Sequence, residues 1–539
     1  MRRSLLWAIG AISGAAVALM PVAHARQHGV AVASAGTAVV VPYYTVREGW
    51  QTLINVTNTS PNALIVKFRM HEARNARDVM HFSIALAPFD VWTAWIQAGN
   101  GDRPFLRTDD SSCTIPQSIR KEGISSSTQS FEPTLVPEQP PGAQVYRDAP
   151  DSAYPASRIT EGYIELLVMG EADGAGTVGS IPWHSGAADG RPRDCAAVQG
   201  GFVAESADWD YVSAIPGDSG SGDPAARSTG HYGPLTTSQP LKVNATLVNQ
   251  DEGIAVGIES LHLAGWGLGR NLVTATGLPW HLEPTLASHE GLWSTGGLAA
   301  IREATGAKAV RNEWASNPRT GAGTDWVLTF PTKRFDTDEN ARDIRAACSV
   351  WRNSRTAGGV PVGEAGAVFV GWPDAPTSPR RVVADAAAER PQHLCPTEFN
   401  GCTAFQQSAD GESVISATFE LYDRQTRSEF SVKRACGPVI LPPQSFRAGN
   451  PRYATNVLAI GYGLDDASSV LNSAITLPIG RSDGEEWGWK NAGRRHGWLE
   501  INDFRDAPVA GFAVKKRDFG APDRNYAQSI PHAYRFLVD

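Results

Sequence analysis

Apolar and polar residues alternate with a period of two in several short stretches of the chain. In the stretch 64–71, apolar residues alternate with Lys67, Arg69 and His71. A period of two is typical of a strand with one buried face and one face toward water. The stretches 82–86, 241–247, 254–258, 326–330 and 415–421 repeat the pattern. The pattern predicts a β-rich protein in which Lys67, Arg69 and His71 face solvent.

Turn signals separate these stretches along the whole chain. Glycine and proline together make 89 of the 539 residues, and the polar run 249–253 predicts the turn of a hairpin. Helical patterns are few, with candidates at 338–347 and 381–390. We therefore predict a mainly β fold of two antiparallel β-sandwich-like domains, with immunoglobulin-like topology as the best match.

The predicted domains span residues 26–285 and 286–539. Two long polar tracts, 97–158 and 171–238, interrupt the first domain. Compact domains rarely carry structureless loops of this length. We therefore expect both tracts to be ordered insertions.

Residues 1–25 have the pattern of a secretory signal peptide. Arg2 and Arg3 precede an apolar run, and Ala23-His24-Ala25 provides the small residues of a cleavage site. No later stretch is long and apolar enough to predict a transmembrane helix. We expect an extracytoplasmic protein, whether it stays in the periplasm, reaches the cell surface or enters the medium.

All six cysteines follow the predicted cleavage site, and in an oxidising compartment an even count favours disulfides. If the two halves fold separately, Cys113 pairs with Cys195. Three pairings then remain for the other four cysteines. Among these we favour Cys395 with Cys402, across a short loop, and Cys348 with Cys436.

The charge of the chain narrows the range of partners. Without the first 25 residues, 46 basic and 56 acidic residues remain, and they are interspersed. Nucleic acid is disfavoured because phosphate binding needs clustered Lys and Arg. A protein or a glycan is a more plausible partner than nucleic acid. The sequence does not indicate the oligomeric state.

Three motifs resemble functional sequences but lack the neighbours that the chemistry needs. Ser219 lies in a GDSGSG string like a serine-protease nucleophile loop, but no histidine has the matching context. The acidic run that begins at Asp336 lacks the glycine and glutamate of a calcium loop. Gly174, Gly176 and Gly179 have the spacing of a dinucleotide-binding loop, but the sequence that follows predicts no helix to hold the phosphate. We predict no catalytic residue, no metal site and no cofactor, although active sites also form from residues distant in sequence.

Tryptophan is the unusual component of the composition, with 16 residues. Apolar strand contexts predict that Trp92, Trp95, Trp326 and Trp372 lie in the core. Trp487 and Trp489 instead occur among polar residues, and Trp498 follows shortly after them. Exposed indoles there would form a ligand-binding platform for sugar rings or a protein partner. The alternative is that the three rings cover a sheet edge or an end of the fold.

Motifs scattered over nearly the whole chain resemble a group of uncharacterised secreted proteins of Gram-negative bacteria. The motifs are VPYY at 41–44, INVTNTS at 54–60, HEARN at 71–75, FDVWT at 89–93, TDWV at 324–327, FPTKR at 330–334 and PVAGF at 508–512. The resemblance implies an extracytoplasmic location and a β-rich fold. It transfers no catalytic residue.

Three functions remain open from the sequence. The first is a secreted or cell-surface binding or structural protein without enzymatic activity, which the absence of a catalytic motif favours. The second is a periplasmic or extracellular hydrolase whose site is built from loops. The third is a carbohydrate-binding protein that uses the three tryptophans.

Overall fold

The computed structural model of the chain describes a set of strand-rich segments. They cover residues 29–74, 76, 78–115, 117–125, 158–172, 194–196, 198, 232–269, 285–286, 298–333, 367–370, 380–383, 415, 417–423, 426–432, 451–460, 469–479, 495–502, 504 and 507–536. Within them, nearly all strand pairs are antiparallel, so the predicted mainly β, antiparallel character is confirmed.

The first half of the chain forms two sheets. Sheet I has the order β1-β13-β2-β10-β4-β5-β8 and sheet II the order β12-β11-β3-β6-β7-β9. Sheet I consists of β1 (Ala31–Ala33), β2 (Ala38–Thr45), β4 (Ala63–Glu72), β5 (Asp78–Leu86), β8 (Cys113–Ile115), β10 (Glu161–Ala172) and β13 (Leu261–Ala264). Sheet II consists of β3 (Trp50–Asn58), β6 (Val91–Ala98), β7 (Pro104–Arg107), β9 (Ile124–Ser125), β11 (Leu241–Asn249) and β12 (Ile254–Glu259).

The second half contributes two five-stranded sheets and one two-stranded sheet. Sheet III has the order β19-β18-β22-β14-β25 and sheet IV the order β21-β20-β15-β23-β24, in which β20 and β21 are parallel. Sheet III consists of β14 (Ala307–Ala315), β18 (Ala417–Asp423), β19 (Thr426–Val432), β22 (His496–Asn502) and β25 (Ala533–Phe536). Sheet IV consists of β15 (Ala322–Thr329), β20 (Thr455–Ile460), β21 (Thr476–Ile479), β23 (Ala510–Arg517) and β24 (Tyr526–Pro531). Sheet V pairs β16 (Ala367–Val370) with β17 (Arg380–Val383).

The described helices are short. They are α1 (Ser118–Glu122), α2 (Leu298–Thr305) and the 3-10 turns Asn100–Asp102 and Pro318–Thr320. The helix predicted at 381–390 is wrong at its start, where β17 forms instead, and the helix predicted at 338–347 lies outside the described residues. The hairpin predicted around 249–253 is confirmed, because β11 and β12 pair across it with Asn249 opposite Ile254.

Sheets I and II share one apolar core. The rings of Phe68 and Phe82 on sheet I stack with centroids 4.7 Å apart, and Trp92 of sheet II meets Phe68 edge-on at 6.0 Å. The same cluster of buried residues extends without a break to Trp326 and Leu499 of the second half. The apolar interior is therefore continuous between the halves.

Strand β4 departs from the predicted one-sided burial, since all ten of its residues are buried. Its outward side chains Lys67, Arg69 and His71 are each no more than 1% exposed. The prediction that they face solvent is wrong. A second apolar cluster, which includes Val198, Tyr232 and other residues remote in sequence, covers this face of sheet I.

The first predicted insertion, 97–158, is partly described and joins both sheets. Its strands β7 and β9 extend sheet II, and β8 lies at the edge of sheet I. In the second insertion, Cys195 is described, and it forms a disulfide with Cys113 of β8. The disulfide thus ties the two tracts together through cysteines that lie 82 positions apart in the chain. The other four cysteines lie outside the described residues.

Two of the tryptophans predicted for the core, Trp92 and Trp326, are fully buried. Trp95 is not, because it occupies an outward position of β6 and is half-buried, with the Arg107 guanidinium 5.6 Å from its ring centroid. Trp372 lies outside the described residues.

Candidate functional site

Of the three tryptophans predicted to bind a ligand, Trp498 lies within the described residues and Trp487 and Trp489 lie outside them. Trp498 is at the middle of β22 with 39% of its surface exposed. Its ring stacks on that of Tyr422, its direct partner on β18, with centroids 3.7 Å apart and planes 6° from parallel. The stack covers one side of the indole with the tyrosine ring, on the outer face of sheet III.

The alternation of each strand places polar side chains around this pair. The other side chains of these strands, such as Val310, Phe419 and Leu499, point inward and belong to the apolar core. We call the outward group the Trp498 face. It consists of Arg311, Glu313, Glu420, Tyr422, Trp498, Glu500 and Asn502.

Hydrogen bonds fix the polar groups of the Trp498 face. The Tyr422 hydroxyl donates to Glu420 Oε2 at 2.7 Å, and Asn502 Nδ2 donates to Glu420 Oε1 at 3.3 Å. Arg311 donates to Glu500, and this hydrogen bond raises the pKa of Arg311. On β14, Glu313 lies directly opposite Trp498. An ordered set of planar donors and acceptors therefore surrounds one exposed indole.

Each carboxylate of the face has a partner, and with Lys515 included the face carries a formal net charge of −1. Arg311 is paired with Glu500, and Lys515 of sheet IV is paired with Glu313. Glu420 is held by a hydroxyl and an amide. Such a surface can stack an apolar ring on the indole and exchange hydrogen bonds with hydroxyl groups.

A second concentration of ionisable groups lies on the covered face of sheet I. Lys67, Arg69, His71, His81 and Glu165 are each no more than 2% exposed. Along one row of the sheet, Arg69 is directly opposite both Glu165 on β10 and His81 on β5. Lys67, Arg69 and His81 all have partners in the structure.

His71 and Glu165 form one close pair in this group. His71 Nε2 lies 3.1 Å from Glu165 Oε2, Nδ1 lies 3.0 Å from the Ala76 carbonyl oxygen, and the ring stacks on Tyr163 at 4.7 Å. A histidine beside a carboxylate is an arrangement that general-base catalysis uses. Both residues are buried, however, so neither contacts solvent in this structure. These ionisable side chains all belong to strands of sheet I and lie together beneath its apolar cover.

A third polar group joins the two halves of the chain through the segment 469–474. Glu161 of β10 accepts hydrogen bonds from the Tyr43 hydroxyl at 2.8 Å, the Ser473 hydroxyl at 2.6 Å and the Ala474 amide at 2.8 Å. From the other half, Asp325 Oδ2 accepts from the Ser469 hydroxyl at 2.6 Å and the Leu471 amide at 3.0 Å. Buried carboxylates from both halves thus hold one turn.

Burial determines the ionisation of this junction. Burial, followed by the charge of Glu161, raises the pKa of Tyr43 well above its ordinary 10.0. Burial also raises the pKa of Asp325 to about 6 from its ordinary 3.8, although bonds from Ser469 and Leu471 oppose the shift. Asp325 is therefore half protonated in mildly acidic solution.

The raised pKa predicts a pH dependence that Asp325→Asn removes. Because the folded pKa is above the unfolded one, the folded state binds the proton more tightly. The stabilising contribution of protonated Asp325 is present below about pH 4 and is lost as pH rises through 6. The free energy of unfolding of the wild type, relative to that of Asp325→Asn, should fall by about 2.4 kcal/mol from pH 4 to pH 7. Urea unfolding of both proteins at each pH measures it, and a constant difference contradicts the assignment.

The sequence analysis named Trp498 as a candidate but none of the residues that surround it. The alternation of 415–421 already implies that Glu420 and Tyr422 point away from the core, so a signal for them existed. The pairing of β18 with β22, and of β22 with β14, joins segments far apart in the chain. Without knowledge of these strand pairings, the sequence does not show that Arg311, Glu500 and Asn502 lie near Trp498.

Within the described ranges, no helix combines the length and apolar character needed to span a bilayer. The same residues contain no group of three or more His, Cys, Asp or Glu side chains placed to hold a metal ion. Comparison of the chain with protein-family models finds no match, and comparisons with curated proteins and with solved structures find none either.

Proposed function

We propose that the protein is a secreted or cell-surface binding protein without enzymatic activity, and that the Trp498 face is its binding surface. The observation that carries the proposal is the exposed indole of Trp498, stacked on Tyr422 amid hydrogen-bonded polar groups. A partly exposed tryptophan on a regular strand, with its ring orientation fixed, has little conformational freedom to lose on binding.

The chemistry of the face favours a glycan as the ligand. Sugar rings present an apolar C–H face that stacks on an indole, together with hydroxyl groups that donate and accept hydrogen bonds. Glu420, Glu500 and Asn502 provide acceptors and an amide beside the ring. The small net charge of the face fits an uncharged saccharide better than a highly charged ligand.

The proposal retains the predicted setting of this surface. It places the Trp498 face on the second of two β-sandwich-like, immunoglobulin-like domains, each of which would present sheet faces and end loops to the exterior. The predicted cleavage after Ala25 and the disulfide of Cys113 with Cys195 are compatible with an oxidising, extracytoplasmic compartment. Pairing of Cys348 with Cys436 and of Cys395 with Cys402 completes this framework.

The hydrolase alternative has less support from the described residues. The His71–Glu165 pair resembles catalytic chemistry, but its burial separates it from any substrate in solution. The remaining buried carboxylates, Glu161 and Asp325, hold a turn through hydrogen bonds. These buried groups make contacts that stabilise the folded chain. The exposed surface of Trp498 makes no such contribution.

Replacement of Trp498 tests the proposal directly. Screening of the purified chain on an array of bacterial and plant glycans should identify a bound saccharide. Trp498→Ala should then raise its Kd at least about 30-fold, the equivalent of about 2 kcal/mol for a central aromatic contact. Isothermal titration calorimetry with that saccharide measures the change.

A second exposed aromatic residue provides the matched control. Tyr526 on edge strand β24 is exposed and lies outside the Trp498 face, so Tyr526→Ala should bind like the wild type. No binding to any glycan on the array, or equal loss in both variants, would overturn the assignment of this face to glycans.

A further inference from the structure

The outer face of sheet II is a separate exposed surface with very few charges. Strand β3 presents Gln51, Leu53, Asn55 and Thr57 on this side, and β6 presents Val91, Thr93, Trp95 and Gln97. None of these eight side chains at the centre of the sheet is charged. Ordinary protein surfaces intersperse charged residues at about one position in three or four. The charged residues of this face, Arg107, Lys242 and Glu259, lie on the flanking strands, and the Arg107 guanidinium extends to 5.6 Å from the ring centroid of Trp95.

Apolar side chains are exposed along the same face. Leu53, with 38% of its surface exposed, lies directly opposite the half-buried Trp95. Val91 is 44% exposed and lies opposite Thr57. An apolar path on a charge-poor face is the composition of the core of a protein–protein interface.

Phe89, just before β6, is held in a conformation that phenylalanine rarely adopts. Its φ is +59°, in the left-handed region that favours glycine, and its ring is 65% exposed. The turn is fixed by bonds from the Phe89 amide to the Ser60 carbonyl at 3.2 Å and from the Asp90 amide to the Ala87 carbonyl at 3.1 Å. Glycine would relieve the backbone strain, and the exposed ring adds little packing within the chain. Strain retained at an exposed aromatic residue points to a contact outside the chain.

We infer that the outer face of sheet II, with Phe89 at its margin, is the interface of a homodimer. A second copy fits this face because its central polar groups are amides and hydroxyls, which both donate and accept hydrogen bonds. Asn55 is flanked by Thr93 and Asn244, so two identical faces can satisfy each other. A charged face would instead meet its own charge across a two-fold axis. The small number of charges at the centre also limits repulsion between two copies that each carry a net negative charge.

Sedimentation velocity of the purified chain at roughly 0.1–50 µM, which brackets the affinities of ordinary interfaces, tests the inference. The wild type should form dimers within this range. Leu53→Asp places a carboxylate at the centre of each face, and Phe89→Gly removes the exposed ring while relieving the strained turn. Because each substitution occurs twice in a symmetric dimer, each should raise the dimer Kd by about 1000-fold.

Two further measurements keep folding and association apart. Phe519 is 50% exposed and lies outside sheet II, so Phe519→Ala should dimerise like the wild type. The thermal midpoint of Phe89→Gly, measured at a concentration where both proteins are monomeric, should equal or exceed that of the wild type. A wild type that remains monomeric throughout the range, or a dimer that persists in both variants, refutes the inference.

Discussion

Removal of the disulfide by the double substitution Cys113→Ser and Cys195→Ser should lower the free energy of unfolding by about 4 kcal/mol. The bond joins residues 82 positions apart, and a cross-link over such a loop removes much of the entropy of the unfolded chain. The loss is also large because Cys113 is buried in the apolar cluster that covers sheet I. The cover over Lys67, Arg69 and His71 should therefore be the first part to loosen.

Urea unfolding of oxidised wild type and double variant measures this effect. Both proteins keep their other four cysteines, so the comparison isolates the one bond. Hydrogen exchange at β4 and β5 should accelerate more than exchange at β14 and β22, because only the former lie beneath the pinned cover. Equal unfolding midpoints in the two proteins would show that the disulfide does not hold this cover.

Glu161→Ala should cost about 3–6 kcal/mol of stability. It leaves the Tyr43 hydroxyl, the Ser473 hydroxyl and the Ala474 amide without their acceptor, and each unsatisfied buried group costs about 1–3 kcal/mol. Because the acceptor belongs to the first half and the turn to the second, the loss falls on the contact between the halves.

Conservative and exposed substitutions separate this effect from a general loss of a glutamate. Glu161→Gln keeps one carbonyl acceptor and the side-chain volume, and should lose less stability than Glu161→Ala. Glu259→Ala removes an exposed carboxylate of β12 and should change stability by no more than about 0.5 kcal/mol. Similar stability of Glu161→Ala and Glu259→Ala would contradict the role given to the junction.

The periodicity of the sequence predicted individual strands and the β11–β12 hairpin well, because these depend on neighbouring residues. It failed on the outer side of β4. An alternating pattern with Lys67, Arg69 and His71 is typical of a water-facing side, but distant segments cover it and Glu165 provides a carboxylate there. The alternation of apolar and polar residues shows which side chains share a face of the strand. Whether that face is exposed or covered depends on tertiary packing.

Of the candidate site, too, only features within single strands could be predicted. Exposure of Trp498 was one of two alternatives that the sequence left open, and Trp95, which its apolar context assigned to the core, lies on an outward face. The stack with Tyr422 and the network around Glu420 depend on strand pairing between remote segments. The sequence shows which residues of one strand share a face, but it does not show which residues of a distant strand lie opposite them.

The most direct test of the account is hydrogen exchange of the chain with and without a saccharide found on the glycan array. The proposed site predicts slower exchange in β14, β18 and β22, the three strands that carry the Trp498 face. It predicts unchanged exchange in β3 and β6 of sheet II, and loss of the protection in Trp498→Ala. Protection confined to other segments, with β18 and β22 unaffected, would contradict the assignment of Trp498 as the centre of binding.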